Sequence, residues 1–149
     1  MTAFLPASQP TRPAAASAAA RLAAPALVAT GSLAAVAVVH LRDPHESGSY
    51  GFCPWLLLTG TYCPGCGGLR AVNDLTRGDV AAAASSNLLF VGSLPLLALW
   101  WARRTADAWR GVRRVADEHA ALRVTVVVLA ATVVFWVVRN LPFAGWLAP

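Results

Sequence analysis

Cys53, Cys63 and Cys66 are the only cysteines of the chain, and they fall within fourteen residues as Cys53-Pro54 followed by Cys63-Pro64-Gly65-Cys66-Gly67. Three chemistries fit that spacing. A Cys-x-x-Cys pair in a Pro-Gly bend turns both sulfurs to one side and can chelate a metal. Zinc needs four ligands, so Cys53, Cys63 and Cys66 would be completed by His45, by His40 or by a group from a partner. A second complete Cys-x-x-Cys, the stronger zinc signal, is missing. The same pair can also be a redox-active dithiol that exchanges with Cys53. The positive end of a following helix, with Arg70 beside it, would then lower a thiol pKa and make Cys63 or Cys66 a nucleophile. The simplest reading is a fixed disulfide between two of the three, pinning a loop to the rest of the fold. The chain shows no Ser-His-Asp set, no paired carboxylates, no phosphate loop and no cofactor motif. Apart from the thiols, no catalytic constellation is recognisable.

The elements that must hold this cluster are apolar. Charged residues make up 13% of the chain, about half of the roughly 25% of a soluble domain. Hydrophobic residues reach 57%, with a mean hydropathy of +0.56. Leu22 to Leu41 and Val80 to Ala102 lack any charge and are long enough to cross the ~30 Å hydrocarbon core, which takes about 20 helical residues. Val124 to Val138 is shorter, and spans if residues 121–141 form the helix with Arg123 and Arg139 reaching the two interfaces. Its valines would suit a strand in water, but a lone strand in lipid leaves its backbone unpaired. The fold class expected is therefore an all-α membrane protein with three transmembrane helices, spanning 22–41, 80–102 and 121–141. A cysteine loop occupies 42–79 and an Arg-rich loop 103–120. Residues 1–21, rich in Ala, Pro and Ser, read as a disordered tail.

All twelve basic residues are arginine, the usage expected of a GC-rich bacterial genome. Eight of them flank the N-terminal tail and the 103–123 segment, against Arg42, Arg70, Arg77 and Arg139 on the other side. The positive-inside rule then puts the N-terminus in the cytoplasm and the cysteine loop outside the plasma membrane. Cleavage near Ala35-Val36-Ala37 would make the first segment a signal peptide, but the apolar run continues through Val39, which favours an uncleaved anchor. The loop faces the same way in either case. The net charge of +5 invites a nucleic-acid reading, yet Asp107, Asp117 and Glu118 interrupt the arginines. Contact with anionic headgroups explains the charge more simply. The partners expected are the lipid bilayer and a membrane protein or a second copy, with no nucleic acid.

Within the loop, Trp55 to Leu58 forms an apolar patch suited to the membrane interface. Leu69, Ala71, Val72 and Leu75 are spaced as the buried face of a short helix, with Gly78 placed to end it and Asp79 to cap the next. These caps account for Arg77-Gly78-Asp79 without an adhesion role. Asn87 lies inside the second span, where an unpaired amide is costly, so it must bond another helix or the cysteine loop. Pro95 should kink the same helix. Arg139 and Asn140, at the outer end of the third span, could pair with Asp74 or Asp79 and lock the loop over the bundle. No span carries an interior charge, which argues against an ion pathway through one copy.

These residues together carry a resemblance. Cys53-Pro54, Thr59-Gly60, Cys63-Pro64-Gly65-Cys66-Gly67-Gly68, Arg70, Gly78-Asp79, Ala82 or Ala83, Asn87 and Arg139-Asn140-Leu141-Pro142 resemble the small bacterial membrane proteins grouped as domain of unknown function 2752. Leu69 and Leu88 depart from that pattern, where threonine and proline are frequent. The resemblance implies a multi-pass membrane protein and gives no activity. The sequence thus leads to a small integral membrane protein, structural or assembly in role, with a disulfide-stabilised outer loop. A membrane thiol-disulfide protein and a zinc-binding loop are the alternatives.

Overall fold

The computed structural model describes residues 17–112 and 117–148, and the described residues are helical with no strand. Helix α1 runs Ala18–Leu41, α2 Pro54–Thr59, α3 Gly68–Thr76, α4 Val80–Arg110 and α5 Glu118–Arg139, followed by a 3₁₀ turn at Pro142–Leu147. α1, α4 and α5 are each long and apolar enough to cross a membrane. The protein is an all-helical membrane protein, with the cysteines between its first two membrane helices.

The helix ends differ from those expected, each for a local reason. α1 begins at Ala18 because Ser17 caps it, its Oγ accepting from the Ala20 N–H at 3.2 Å, and the alanines that follow favour helix. Ala18 to Arg21 are therefore helical, not part of a disordered tail, and residues 1–16 lie outside the described residues. α4 passes its expected end at Ala102 and stops at Arg110, where Gly111 supplies the left-handed cap at φ 69°. Residues 103–110 of the anticipated Arg-rich loop are thus helix. α5 starts behind Asp117, whose carboxylate accepts from His119 and Ala120.

The two ends of the bundle are joined by different means. At one end Arg21 Nε donates to Ala108 O at 3.0 Å, tying the start of α1 to the end of α4. At the other end α3 packs against both α1 and α4. Its buried face is only in part the apolar set that its spacing suggested. Ala71 is buried as expected and Val72 and Leu75 are half-buried, but Asn73 and Asp74 are buried too and Leu69 is exposed. Asn73, only 1% exposed, donates to Val39 O at 2.8 Å and accepts from Arg77 Nε at 2.8 Å. Asp74 accepts from Ser86 Oγ of α4 at 3.1 Å. A helix end in an apolar surround presents unpaired carbonyls, and a polar face satisfies them where leucines could not.

The expected caps at the α3–α4 corner are present: Gly78 has φ 83°, and Asp79 Oδ1 accepts from Ala82 N at 2.8 Å. The interruption of α4 falls at Asn87 (φ −159°, ψ 90°), and no non-helical residue accompanies Pro95. The small apolar core of Phe135, Ala144 and Leu147, with Leu89 and Val138 against it, sits at the cysteine end.

Candidate functional site

The cysteine loop is built from two short turns. Pro54 opens α2 with Cys53 as its N-cap, and Trp55 docks edge-on against Trp136 of α5 with ring centroids 5.5 Å apart. The Cys63–Cys66 bend closes through the Cys66 N–H to Cys63 O bond at 3.1 Å, and Gly67 enters α3 at φ 78°, a conformation that favours glycine.

These turns bring all three thiols together. Their sulfurs lie within 4.8 Å of one another. Cys63 Sγ is the central one, 2.9 Å from Cys66 Sγ and 3.6 Å from Cys53 Sγ. All three cysteines are free, and both separations exceed the ~2.05 Å of a disulfide bond. The fixed disulfide expected to pin the loop is thus not shown. Thiolates around one tetrahedral ion, at about 2.3 Å each, sit about 3.8 Å apart, so Cys53 and Cys63 are already near that spacing while Cys63 and Cys66 would have to part by about 0.9 Å.

Polar side chains from the membrane helices hold the loop from beneath. Asn87 Nδ2 donates to Pro64 O at 2.9 Å and to Cys66 O at 3.1 Å, while its Oδ1 accepts from Phe90 N at 2.9 Å. One side chain therefore grips the loop and caps the lower part of α4, which explains why the helix breaks there. Arg139, 2% exposed, donates through Nη1 to Cys63 O (2.9 Å) and Cys66 O (3.1 Å). Its Nη2 donates to Leu147 O (3.0 Å) and Ser86 O (3.5 Å). Asn140 meets Tyr62 in both directions, accepting from its N–H at 2.8 Å and donating to its C=O at 3.0 Å. The lock over the bundle exists, but Arg139 and Asn140 make it through carbonyls and not through Asp74 or Asp79.

The other candidate ligands are engaged elsewhere. His45 faces Asp43 (Nδ1, 3.1 Å) and Asp74 (Nε2, 3.4 Å) and does not join the sulfur cluster. His40 Nδ1 is 2.8 Å from Thr76 Oγ1. Asp79 caps α4 away from the thiols. Arg70 donates to Pro44 O at 3.3 Å and lines, with Cys53, Cys66, Tyr50 and Tyr62, a cleft of about 440 Å³ over the cluster.

The thiols are unequal. The nearby backbone N–H of Leu56, then the Cys66 side chain, hold Cys53 below the ordinary thiol range. Burial, reinforced by Cys63, pushes Cys66 up to about 12. The thiol whose pKa is lowered is therefore the one that begins α2. Tyr62 and Asn73 are not among the residues the sequence singles out, and Asp74 entered only as a partner for Arg139 and Asn140. An Asn-Asp pair inside a short helix wedged between apolar spans was the available signal for Asn73.

Residues 53–101 match a family described as a protein of unknown function, DUF2752. The match covers the cysteine loop, α3 and much of α4, so the chain resembles that family where the thiols and Asn87 lie. Arg139, Asn140 and Pro142 fall beyond it. No curated protein and no solved structure matches the chain.

Proposed function

We propose that this membrane protein presents a three-thiolate site for a thiophilic divalent ion, zinc foremost, on the outer face of the plasma membrane. The convergence of the Cys53, Cys63 and Cys66 sulfurs within 4.8 Å supports it. Three protein thiolates leave one coordination position of a four-coordinate ion for another ligand. Since His40 and His45 are engaged elsewhere, that ligand comes through the cleft, from water or from a partner's side chain. Anchoring by Asn87, Arg139 and Asn140 gives the loop fixed geometry without a covalent bridge, which suits a metal site better than it suits a disulfide staple. The N-terminal tail, the arginines at the end of α4 and Arg123 near the start of α5 face the cytoplasm by their charge.

A thiol-exchange reading draws on the central position of Cys63. Its thiolate would attack a partner's disulfide, and Cys66 would displace the mixed bond, leaving Cys63–Cys66 oxidised and the partner reduced to two thiols. Elemental analysis of the full chain, purified in detergent without chelator, separates the readings when paired with alkylation and intact mass. The metal reading expects one equivalent of ion and three thiols that alkylate only after chelation. Three thiols that alkylate freely, with no uptake of added Zn²⁺, would overturn it. An intact mass lower by two hydrogens, with one alkylated cysteine, would favour exchange.

A further inference from the structure

Arg139 is the one basic side chain buried among the described residues, and its surroundings are unusual. Four carbonyl oxygens, of Cys63, Cys66, Ser86 and Leu147, take its terminal nitrogens, and the Phe135 ring lies 4.9 Å from Cζ. Its Nε is buried without a hydrogen-bond partner. Among the described residues no carboxylate pairs with it. Carbonyl dipoles solvate a guanidinium but do not cancel its charge, and a buried charge without a counter-ion is costly. Two of those four carbonyls belong to the cysteines themselves.

We infer that Arg139 is the counter-cation and template of the thiolate site, an inference that rests on the metal reading above. Three thiolates on a divalent ion carry one net negative charge, and Arg139 carries one positive, so the loaded site is neutral. The same fork that grips Cys63 O and Cys66 O fixes the bend that aims their sulfurs. Arg139 is thus a positioning residue that acts through the backbone of two ligands and through its charge. It accounts for a buried arginine with no acid paired to it.

The test uses the full chain in detergent micelles with Co²⁺ alone as the probe, read by thiolate-to-metal charge transfer. Arg139→Gln keeps much of the side chain and removes the charge. It is expected to bind Co²⁺ at least about tenfold more weakly than the unsubstituted protein, the usual penalty for losing an outer-sphere partner. Arg139→Lys, which keeps the charge, should recover part of that loss. A merely structural role would lower thermal stability in both variants and leave the affinity of the folded fraction unchanged. An Arg139→Gln protein of native helicity that binds Co²⁺ within twofold of the unsubstituted chain overturns the inference while leaving the metal site intact. Should that variant not fold, ¹⁵N-arginine NMR of the unsubstituted protein decides. The slowly exchanging Nε–H resonance is expected to move when Cd²⁺ is added, and one that stays in place overturns the inference. If the unsubstituted protein takes up neither ion, the metal reading fails and this inference falls with it.

Discussion

The cysteine end of the bundle and the middle of its membrane helices are held by opposite physics. At the cysteine end Asn73, Asn87, Arg139 and Asn140 each spend side-chain polar atoms on backbone groups of another segment. Below it an apolar cleft of about 690 Å³ opens between α4 and α5, running from Pro64 and Asn87 down to Leu96, Val127 and Val128. Leu129 of α5 is 60% exposed. Lipid can cover such surface at no loss, whereas a bare carbonyl in hydrocarbon has no substitute for its missing partner. Specific geometry is therefore concentrated where polar groups force it, and the spans act chiefly as the platform beneath.

Substitutions can break this contrast or sharpen it. The largest effect is expected from Cys63→Ser, which removes the central sulfur and should weaken Co²⁺ or Cd²⁺ binding by about a hundredfold or more, read by charge-transfer absorbance. Unchanged binding would show that the cluster is not the site. Asn87→Ala comes next, because it deletes the cap on the lower part of α4 and strips donors from Pro64 O and Cys66 O. A loss of about 2–3 kcal/mol is expected, combining one cap with one or two orphaned acceptors, and hydrogen exchange of the loop amides measures it.

A smaller difference separates two thiols of the same cluster. In metal-free protein at pH 8, Cys53, whose pKa is lowered, holds far more thiolate than Cys66, raised to about 12. Iodoacetamide should modify Cys53 at least about tenfold faster, as followed by peptide mass spectrometry. Equal rates would mean that burial does not distinguish them. Least of all should follow from Leu129→Val on the lipid-facing side of α5. A change within about 0.5 kcal/mol is expected in thermal unfolding, as for exposed positions generally. A large loss there would show a protein partner where lipid is inferred.

What was legible in the sequence follows the same division. Charge-free runs marked the three spans, because hydrocarbon selects on composition alone. The caps at Gly78 and Asp79 were legible because a left-handed turn and an N-terminal acceptor each demand particular residues. Asn87 was legible as an amide that needed a partner, and the cysteine loop was one of its two expected destinations. The partners of Arg139 were not legible, since a backbone carbonyl is the same in every residue and leaves no mark in the sequence. An acid was expected because acids are what the sequence displays. The buried face of α3 was legible only in part for a related reason: apolar spacing points to Ala71, yet the neighbouring helix ends required Asn73 and Asp74 beside it.

The break at Asn87 also fixes a depth. The uncharged part of α4, Val80 to Ala102, rises about 34 Å, just enough to cross the ~30 Å hydrocarbon layer, whereas residues 88–102 alone rise only about 22 Å. Asn87 therefore lies about 10 Å below the start of that run. Because Asn87 holds Pro64 and Cys66 directly, the cysteine bend is drawn down beside the upper part of α4. The cleft over the cluster is then the route by which ions and small reagents reach the thiols, while a partner embedded in the bilayer could meet them from the flank.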